Sequence, residues 1–197
     1  MFDRWALQLT KPLVDRLAAR IRRFGFNAIQ VTFAAFGFGM VSAMLIAAGH
    51  SHLALVFLLT GRLLDGLDGA VARLSEPTDQ GAFLDITLDF VFYAAVPLAF
   101  STVDAVAAAV LLAAFIGTGT SFLAYAIIAE KRGDKSTTYP SKSFYYLGGL
   151  TEGTETVTCF VLMCLWPQHF AIFAYIYAAM CSVTTFARIL AGWRHFR

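Results

Sequence analysis

Charged side chains are scarce in this 197-residue chain. Asp, Glu, Lys and Arg make up 14% of it, whereas about a quarter of an ordinary soluble domain is charged. Hydrophobic residues make up 58%, and the mean hydropathy is +0.67. A soluble domain of this length buries only about 70% of the surface that its unfolded chain exposes. The composition therefore excludes an ordinary cytosolic enzyme or a disordered tail, and it predicts an integral membrane protein.

Cysteine and net charge are low as well, and each excludes a further class of protein. Cys159, Cys164 and Cys181 lie inside apolar stretches and form neither a disulfide framework nor a zinc-binding pattern. The formal net charge of +2 is too small to indicate nucleic acid as a partner. The positions of the few charged residues therefore carry the functional information.

Long apolar stretches fill most of the sequence after residue 27. A helix needs about 20 apolar residues to cross roughly 30 Å of hydrocarbon. Residues 2–24 are instead typical of an interfacial amphipathic helix, because Leu9, Leu13 and Leu17 recur every four residues opposite charged side chains. The sequence thus predicts an all-α integral membrane protein, a single domain over residues 1–197, with six transmembrane helices at residues 28–48, 53–73, 81–101, 105–128, 144–166 and 169–191.

Lysine and arginine are unevenly distributed between the loops. They concentrate before the first predicted span, between spans four and five, and at the C-terminus, whereas the loops near residues 50, 103 and 168 contain none. Cytoplasmic loops carry the excess of Lys and Arg in membrane proteins. We therefore expect both termini and the loops 74–80 and 129–143 to face the cytoplasm. The membrane that we expect is a bacterial inner membrane.

Four aspartates interrupt the second and third predicted spans near their cytoplasmic ends: Asp65, Asp68, Asp85 and Asp89. At about 100° per residue, each pair shares one face of its helix, and the two faces can meet across the hairpin. An aspartate in a membrane helix costs roughly 2.5–3.5 kcal/mol, so four of them need compensating charge. Carboxylate oxygens suit Mg²⁺ or Mn²⁺, and two such ions would neutralise the cluster. We expect a two-metal site of the kind used for displacement at phosphorus; the alternative is a set of solvated helix ends paired with arginines.

The same aspartates belong to a longer pattern, Asp65-x₂-Asp68-Gly69-x₂-Ala72-Arg73-x₇-Gly81-x₃-Asp85-x₃-Asp89. It resembles the signature of the class I CDP-alcohol phosphatidyltransferase family. The resemblance also includes the chain length, the six spans and the interfacial helix, so it covers nearly the whole chain. It implies transfer of a phosphatidyl group from CDP-diacylglycerol to a small alcohol, with release of CMP, in phospholipid biosynthesis. It further implies a homodimer.

The resemblance also implies roles for individual residues. Asp65, Asp68 and Asp85 would be metal ligands. Asp89 would complete the metal site and act as general base for the acceptor hydroxyl. The positions implied for the cytidine nucleotide are Gly69, Ala72, Arg73 and Gly81. One departure concerns the first span, where the family often has a Thr-Pro-Asn-like stretch and this chain has Asn27-Ala28-Ile29, with Thr32 retained.

A second group of polar residues lies in and near predicted span five. Glu152 and Glu155 fall on one arc of a helix, at a depth comparable with the aspartates. We expect this arc to line a pocket for the acceptor alcohol; an internal ion pair of Glu152 with Arg188 or Arg62 is the alternative. Arg188 itself either contacts a phosphorylated acceptor or anchors a helix end. The acceptor-pocket candidates are Lys142, Tyr145, Glu152, Glu155 and Arg188.

The acceptor stays open among glycerol 3-phosphate, serine, inositol phosphate and phosphatidylglycerol. Two other functions also stay open, an ion-coupled transporter and a non-catalytic, lipid-binding member of the family. Acids within membrane helices mark ion pathways too. A transporter, however, usually places them near the bilayer midplane in an inverted repeat, and no repeat is visible in this sequence.

Overall fold

The computed structural model describes residues 3–75, 77–134 and 150–197, with side chains from residue 12 onward. All regular structure in these ranges is helical. Two short 3₁₀ helices, Phe100–Thr102 and Pro167–His169, adjoin longer helices. The α-helices are α1 Asp3–Arg23, α2 Ala28–Ala47, α3 Ser51–Arg73, α4 Asp79–Ala99, α5 Ala105–Arg132, α6 Gly153–Leu165 and α7 Phe170–His195.

Side-chain caps fix where several of these helices begin. Asn27 accepts a hydrogen bond from the Gln30 backbone N–H, and the Gln30 side chain accepts one from the Asn27 N–H, which forms a capping box before α2. Thr78 caps α4 and Asp104 caps α5 in the same general way. At the other end of α5, Gly133 has a φ of 73°, a left-handed conformation that ends a helix and that glycine adopts without strain. The sequence thus sets the ends of the helices locally.

Close packing of small residues joins α2 to α3. A Cβ atom at Gly61 would lie 3.0 Å from the Ala35 carbonyl oxygen and 3.2 Å from the Gly39 backbone nitrogen. The two backbones therefore approach each other closely, as small residues allow in membrane helix pairs. α2 also packs on α4, and α5 packs on α7. α2 therefore packs against both helices of the α3–α4 pair.

An apolar core fills the half of the bundle away from the aspartates. Phe92, Phe100, Phe160 and Phe170 are fully buried in it. The Phe100 and Phe170 rings stack with their centroids 4.7 Å apart, which ties the end of α4 to the start of α7. A smaller cluster around Ala18 joins α1 to α3 and α2. These contacts hold the hairpin that carries the acidic residues.

Four helical segments of the described chain are long and apolar enough to cross a membrane: residues 28–47, 79–102, 105–132 and 167–195. α3 is long enough but carries Arg62, Asp65, Asp68 and Arg73 in its second half. The six-span count therefore stays a prediction, although each described helix from α2 onward lies where the sequence places a span.

The fifth span was predicted over residues 144–166, and the prediction of a helix is wrong for residues 150–152. Residues 150–152 are not helical, and α6 begins only at Gly153, where the extended backbone of Glu152 precedes the first helical turn. Residues 144–149 lie outside the described residues. Apolar periodicity does not distinguish a helix from an extended approach to one, so the hydropathy pattern placed the boundary too early.

Candidate active site

The short connection between α3 and α4 brings three of the predicted metal ligands together. Asp65 and Asp68 lie in the last turns of α3, and Asp85 lies in the second turn of α4. One carboxylate oxygen from each lies within 4.8 Å of the others. Three negative charges at this spacing repel one another, and a hard divalent cation is the partner that matches an all-oxygen set. The arrangement fits the predicted metal site.

The three carboxylates differ in exposure. Asp68 is 5% exposed, Asp65 is partly buried and Asp85 is exposed. The Thr32 hydroxyl, from α2, donates a 2.6 Å hydrogen bond to Asp68 Oδ2. This bond orients the most buried carboxylate, and it extends the site to the first predicted span.

Asp89 is paired with Arg62, which also lies near Asp65. Its Oδ1 atom accepts a 2.6 Å hydrogen bond from Arg62 Nη1, and the same nitrogen lies 3.4 Å from Asp65 Oδ2. The Arg62 side chain is 10% exposed. Its guanidinium carbon lies 4.0 Å from the centroid of the Phe92 ring, within range of a cation–π interaction. Arg62 thus links α3 to α4 beside the acidic cluster.

The predicted nucleotide-binding residues lie around the same hairpin. The Arg73 guanidinium lies over Gly69, since a Cβ there would be 3.5 Å from Arg73 Nη1. The Gly81 backbone N–H donates to Thr78 Oγ1 at 3.1 Å, so Gly81 belongs to the cap of α4. Ala72 and Gly81 are both partly exposed. The small residues therefore leave accessible surface next to the carboxylates.

The predicted acceptor residues are only partly described. Lys142 and Tyr145 lie outside the described residues. Glu152 is 6% exposed and directly precedes α6, and Glu155 lies in the first turn of that helix. Arg188 is 7% exposed, donates a 3.1 Å hydrogen bond to the Thr118 carbonyl oxygen, and lies over the Phe122 ring. All three side chains are thus in or at the edge of the protein interior.

A sequence model described as CDP-alcohol phosphatidyltransferase matches residues 27–187. The chain belongs to the CDP-alcohol phosphatidyltransferase family. It is also 48% identical, over 98% of its length and 96% of the relative's, to a protein of Escherichia coli named inner membrane protein YnjF. Together with the apolar helices, this relative shows an integral membrane protein.

Two crystal structures of the phosphatidylinositol phosphate synthase of Mycobacterium tuberculosis share the fold. The one with CDP-DAG bound has a TM-score of 0.74 and 21% identity, and the match covers 92% of this chain and 94% of that one. The one in complex with manganese and citrate has a TM-score of 0.71 and 21% identity, over 91% and 88%. At this identity the likeness establishes the fold of this chain.

Two contacts of the candidate site were not predicted from the sequence. The sequence indicated Arg62 only as a possible partner of Glu152, and Thr32 only as a retained position. Arg62 lies three residues before Asp65, and this spacing puts both on one face of α3. The described structure pairs Arg62 with Asp65 and Asp89. The contact of Thr32 depends on the packing of α2 on α3, which no local pattern reveals.

Proposed function

We propose that this protein transfers a phosphatidyl group from CDP-diacylglycerol to a small alcohol, with release of CMP, in a metal-dependent reaction at the cytoplasmic end of the α3–α4 hairpin. The observation that carries the proposal is the convergence of Asp65, Asp68 and Asp85, with ligand oxygens within 4.8 Å of one another. Family membership supplies the reaction class. The bound ligands of the two related crystal structures, CDP-DAG in one and manganese in the other, support the donor and the metal.

The donor set fits Mg²⁺ or Mn²⁺. Carboxylates are the ligands that these hard cations prefer, and thiolates or imidazoles are absent from the described cluster. Asp65, Asp68 and Asp85 would hold the metal, Asp89 would complete the site, and two ions would balance the four negative charges. The chemistry that bound ions supply is stabilisation of the negative charge that develops on the phosphoryl oxygens.

Asp89 is the general base in this proposal. It takes the proton of the acceptor hydroxyl while the hydroxyl oxygen forms a bond to the phosphatidyl phosphorus. The bond from that phosphorus to the bridging oxygen breaks, its electron pair stays on the oxygen, and CMP leaves. A carboxylate is a weak base, so the hydroxyl must be well positioned for this transfer to be fast.

The remaining residues bind and orient the substrates. Gly69, Ala72 and Gly81 leave room for the cytidine nucleotide, and the Arg73 guanidinium lies beside Gly69, where a phosphate or the nucleotide can reach it. Glu152, Glu155 and Arg188, with Lys142 and Tyr145, line the pocket for the acceptor. Both termini and the site face the cytoplasm, and the chain acts as a homodimer.

The direct experiment is CMP release from CDP-diacylglycerol by the purified full chain in detergent micelles, with Mg²⁺ or Mn²⁺ and a panel of candidate alcohols. We expect turnover with at least one alcohol, none with EDTA, and a large loss in Asp89→Asn. Activity that survives Asp89→Asn would contradict its role as base. Absence of turnover with every alcohol would favour a non-catalytic member of the family.

The acceptor pocket has its own test. Glu152→Gln and Glu155→Gln keep the side-chain shape and remove one charge each. We expect a raised KM for the acceptor and an unchanged KM for CDP-diacylglycerol. Full activity in both folded variants would remove these glutamates from the pocket and leave them as packing residues of α6.

A further inference from the structure

Arg62 is a buried cation that the family signature does not include. It lies on α3, one turn before Asp65, and its side chain is 10% exposed. A buried guanidinium is tolerated when it is paired and its hydrogen bonds are directed. The structure gives it two carboxylate partners on different helices, Asp65 on its own helix and Asp89 on α4. Arg62 therefore contacts both a predicted metal ligand, Asp65, and the proposed base, Asp89.

The two contacts are unequal. Arg62 Nη1 lies 2.6 Å from Asp89 Oδ1 and 3.4 Å from Asp65 Oδ2. Charge-assisted hydrogen bonds of guanidinium to carboxylate are shortest and strongest near 2.7–2.9 Å, so the bond to Asp89 dominates. It engages one oxygen of Asp89. In the described residues, the ligand oxygens that converge belong to the other three aspartates. Arg62 thus bonds most closely to the one aspartate of the four that is not in this convergent group.

The position of Arg62 is itself fixed by packing. Its guanidinium carbon lies 4.0 Å from the centroid of the Phe92 ring, and Phe92 is fully buried. The ring has no freedom toward α2, because a Cβ atom at Gly39 would lie 2.7 Å from Phe92 Cδ2. A planar guanidinium held on an aromatic face loses little further freedom when it bonds a carboxylate. Gly39 therefore packs against Phe92, Phe92 supports Arg62, and Arg62 holds Asp89.

We propose that Arg62 is a positioning residue for phosphatidyl transfer, which holds Asp89 by Oδ1 and so directs Oδ2 toward the acceptor hydroxyl. The inference rests on the proposed function, in which Asp89 accepts the hydroxyl proton. Arg62 takes no proton and touches no reacting atom. Its effect falls on the rate of the chemical step, since misplacement of a base by about 1 Å costs on the order of 100-fold.

The test compares Arg62→Gln, Arg62→Lys and the control Arg20→Gln, which removes the same charge from an exposed position of α1. CMP release by each purified variant is measured as kcat, KM for CDP-diacylglycerol, and the Mn²⁺ concentration for half-maximal activity. We expect Arg62→Gln to lower kcat by about 100-fold and to shift the other two values less than about threefold. Arg62→Lys should lower kcat by about tenfold, because an ammonium lacks the planar fork that lies on Phe92. Arg20→Gln should behave like the unmodified protein.

Several results would overturn the inference. The inference is refuted if the kcat of Arg62→Gln lies within threefold of that of the unmodified protein. It is also refuted if the Mn²⁺ concentration for half-maximal activity rises in proportion to the loss of rate, because the substitution would then act through Asp65 and metal binding. If Arg62→Gln does not fold, Arg62→Lys decides, and an unchanged kcat in that variant would refute positioning.

A double variant shows whether Arg62 acts through Asp89. In an Asp89→Asn background, we expect Arg62→Gln to lower the remaining rate less than about threefold, because residues that act as one unit are not additive. An undiminished effect of Arg62→Gln in that background would refute the inference. Absence of CMP release by the unmodified protein would instead refute the proposed function, so the two failures are distinguishable.

Discussion

The two halves of α4 face different surroundings. In the first half, Asp85 is exposed and belongs to the acidic cluster, and Asp89 bonds to Arg62. In the second half, Phe92, Val96 and Pro97 are buried in the apolar core. One continuous helix therefore combines a half that carries charge with a half that anchors it. Because the acids repel one another, their geometry depends on the packing of the apolar half.

Phe92 lies at the boundary between these halves. Its ring packs in the core beside Phe160, with centroids 6.0 Å apart, and its face supports the Arg62 guanidinium. If this division is correct, substitution of the site carboxylate Asp85 in the first half should reduce activity without loss of stability. Substitutions in the second half should reduce stability first.

The largest expected effect is that of Asp85→Asn in the charged half. Loss of one of three convergent carboxylates should lower CMP release by about 1,000-fold at saturating Mn²⁺. The melting temperature in detergent without metal should not fall, because removal of one charge relieves repulsion. Asp79→Asn, an exposed aspartate in the first turn of the same helix, is the matched control and should keep its activity. A melting temperature that falls with activity in Asp85→Asn would contradict the division.

Phe92→Ala tests the anchoring half. Removal of a fully buried aromatic ring should lower the free energy of unfolding by about 3–5 kcal/mol, as measured by thermal denaturation in detergent. The support of Arg62 is lost as well, so the folded fraction should also turn over more slowly. Phe83→Ala is the control, because Phe83 lies on the same helix with 66% of its surface exposed. Equal melting temperatures for the two variants would show that α4 has no such anchor.

The charged half of α4 was more predictable from sequence than its support. Asp85 and Asp89 are four residues apart, and helical periodicity alone puts them on one face. The partners of these acids were less accessible to such reasoning. Arg62 reaches Asp89 across 27 positions of sequence, and Thr32 reaches Asp68 across 36, so both contacts depend on which helices pack together. The sequence also placed the start of α6 at residue 144 instead of Gly153. Hydropathy does not distinguish an apolar helix from an apolar segment that precedes it.

Thr32→Val tests whether a third helix, α2, supports the acidic cluster. The variant keeps the shape of Thr32 but removes the 2.6 Å hydrogen bond to Asp68 Oδ2, and hydrogen bonds to charged groups are worth about 1.5–3 kcal/mol. We expect the Mn²⁺ concentration for half-maximal activity to rise about tenfold, with kcat at saturating Mn²⁺ nearly unchanged. Thr60→Val is the control, since the Thr60 hydroxyl donates to the Val56 carbonyl oxygen of its own helix. An equal response of both variants would indicate a general packing effect.

The smallest effect separates two glycines on neighbouring turns of α3. A Cβ atom at Gly69 would lie 3.5 Å from Arg73 Nη1, an ordinary contact, whereas one at Gly66 would meet no atom within 4 Å. Both substitutions to Ala should therefore fold, and each gains up to about 1 kcal/mol of helix propensity. Because that gain is the same for both, any difference between them reports the surface that each glycine leaves open. We expect Gly69→Ala to raise the KM for CDP-diacylglycerol severalfold and Gly66→Ala to leave it unchanged. If the two KM values are equal, the nucleotide does not bind on the Gly69 face, and the reactive part of the hairpin is confined to its carboxylates.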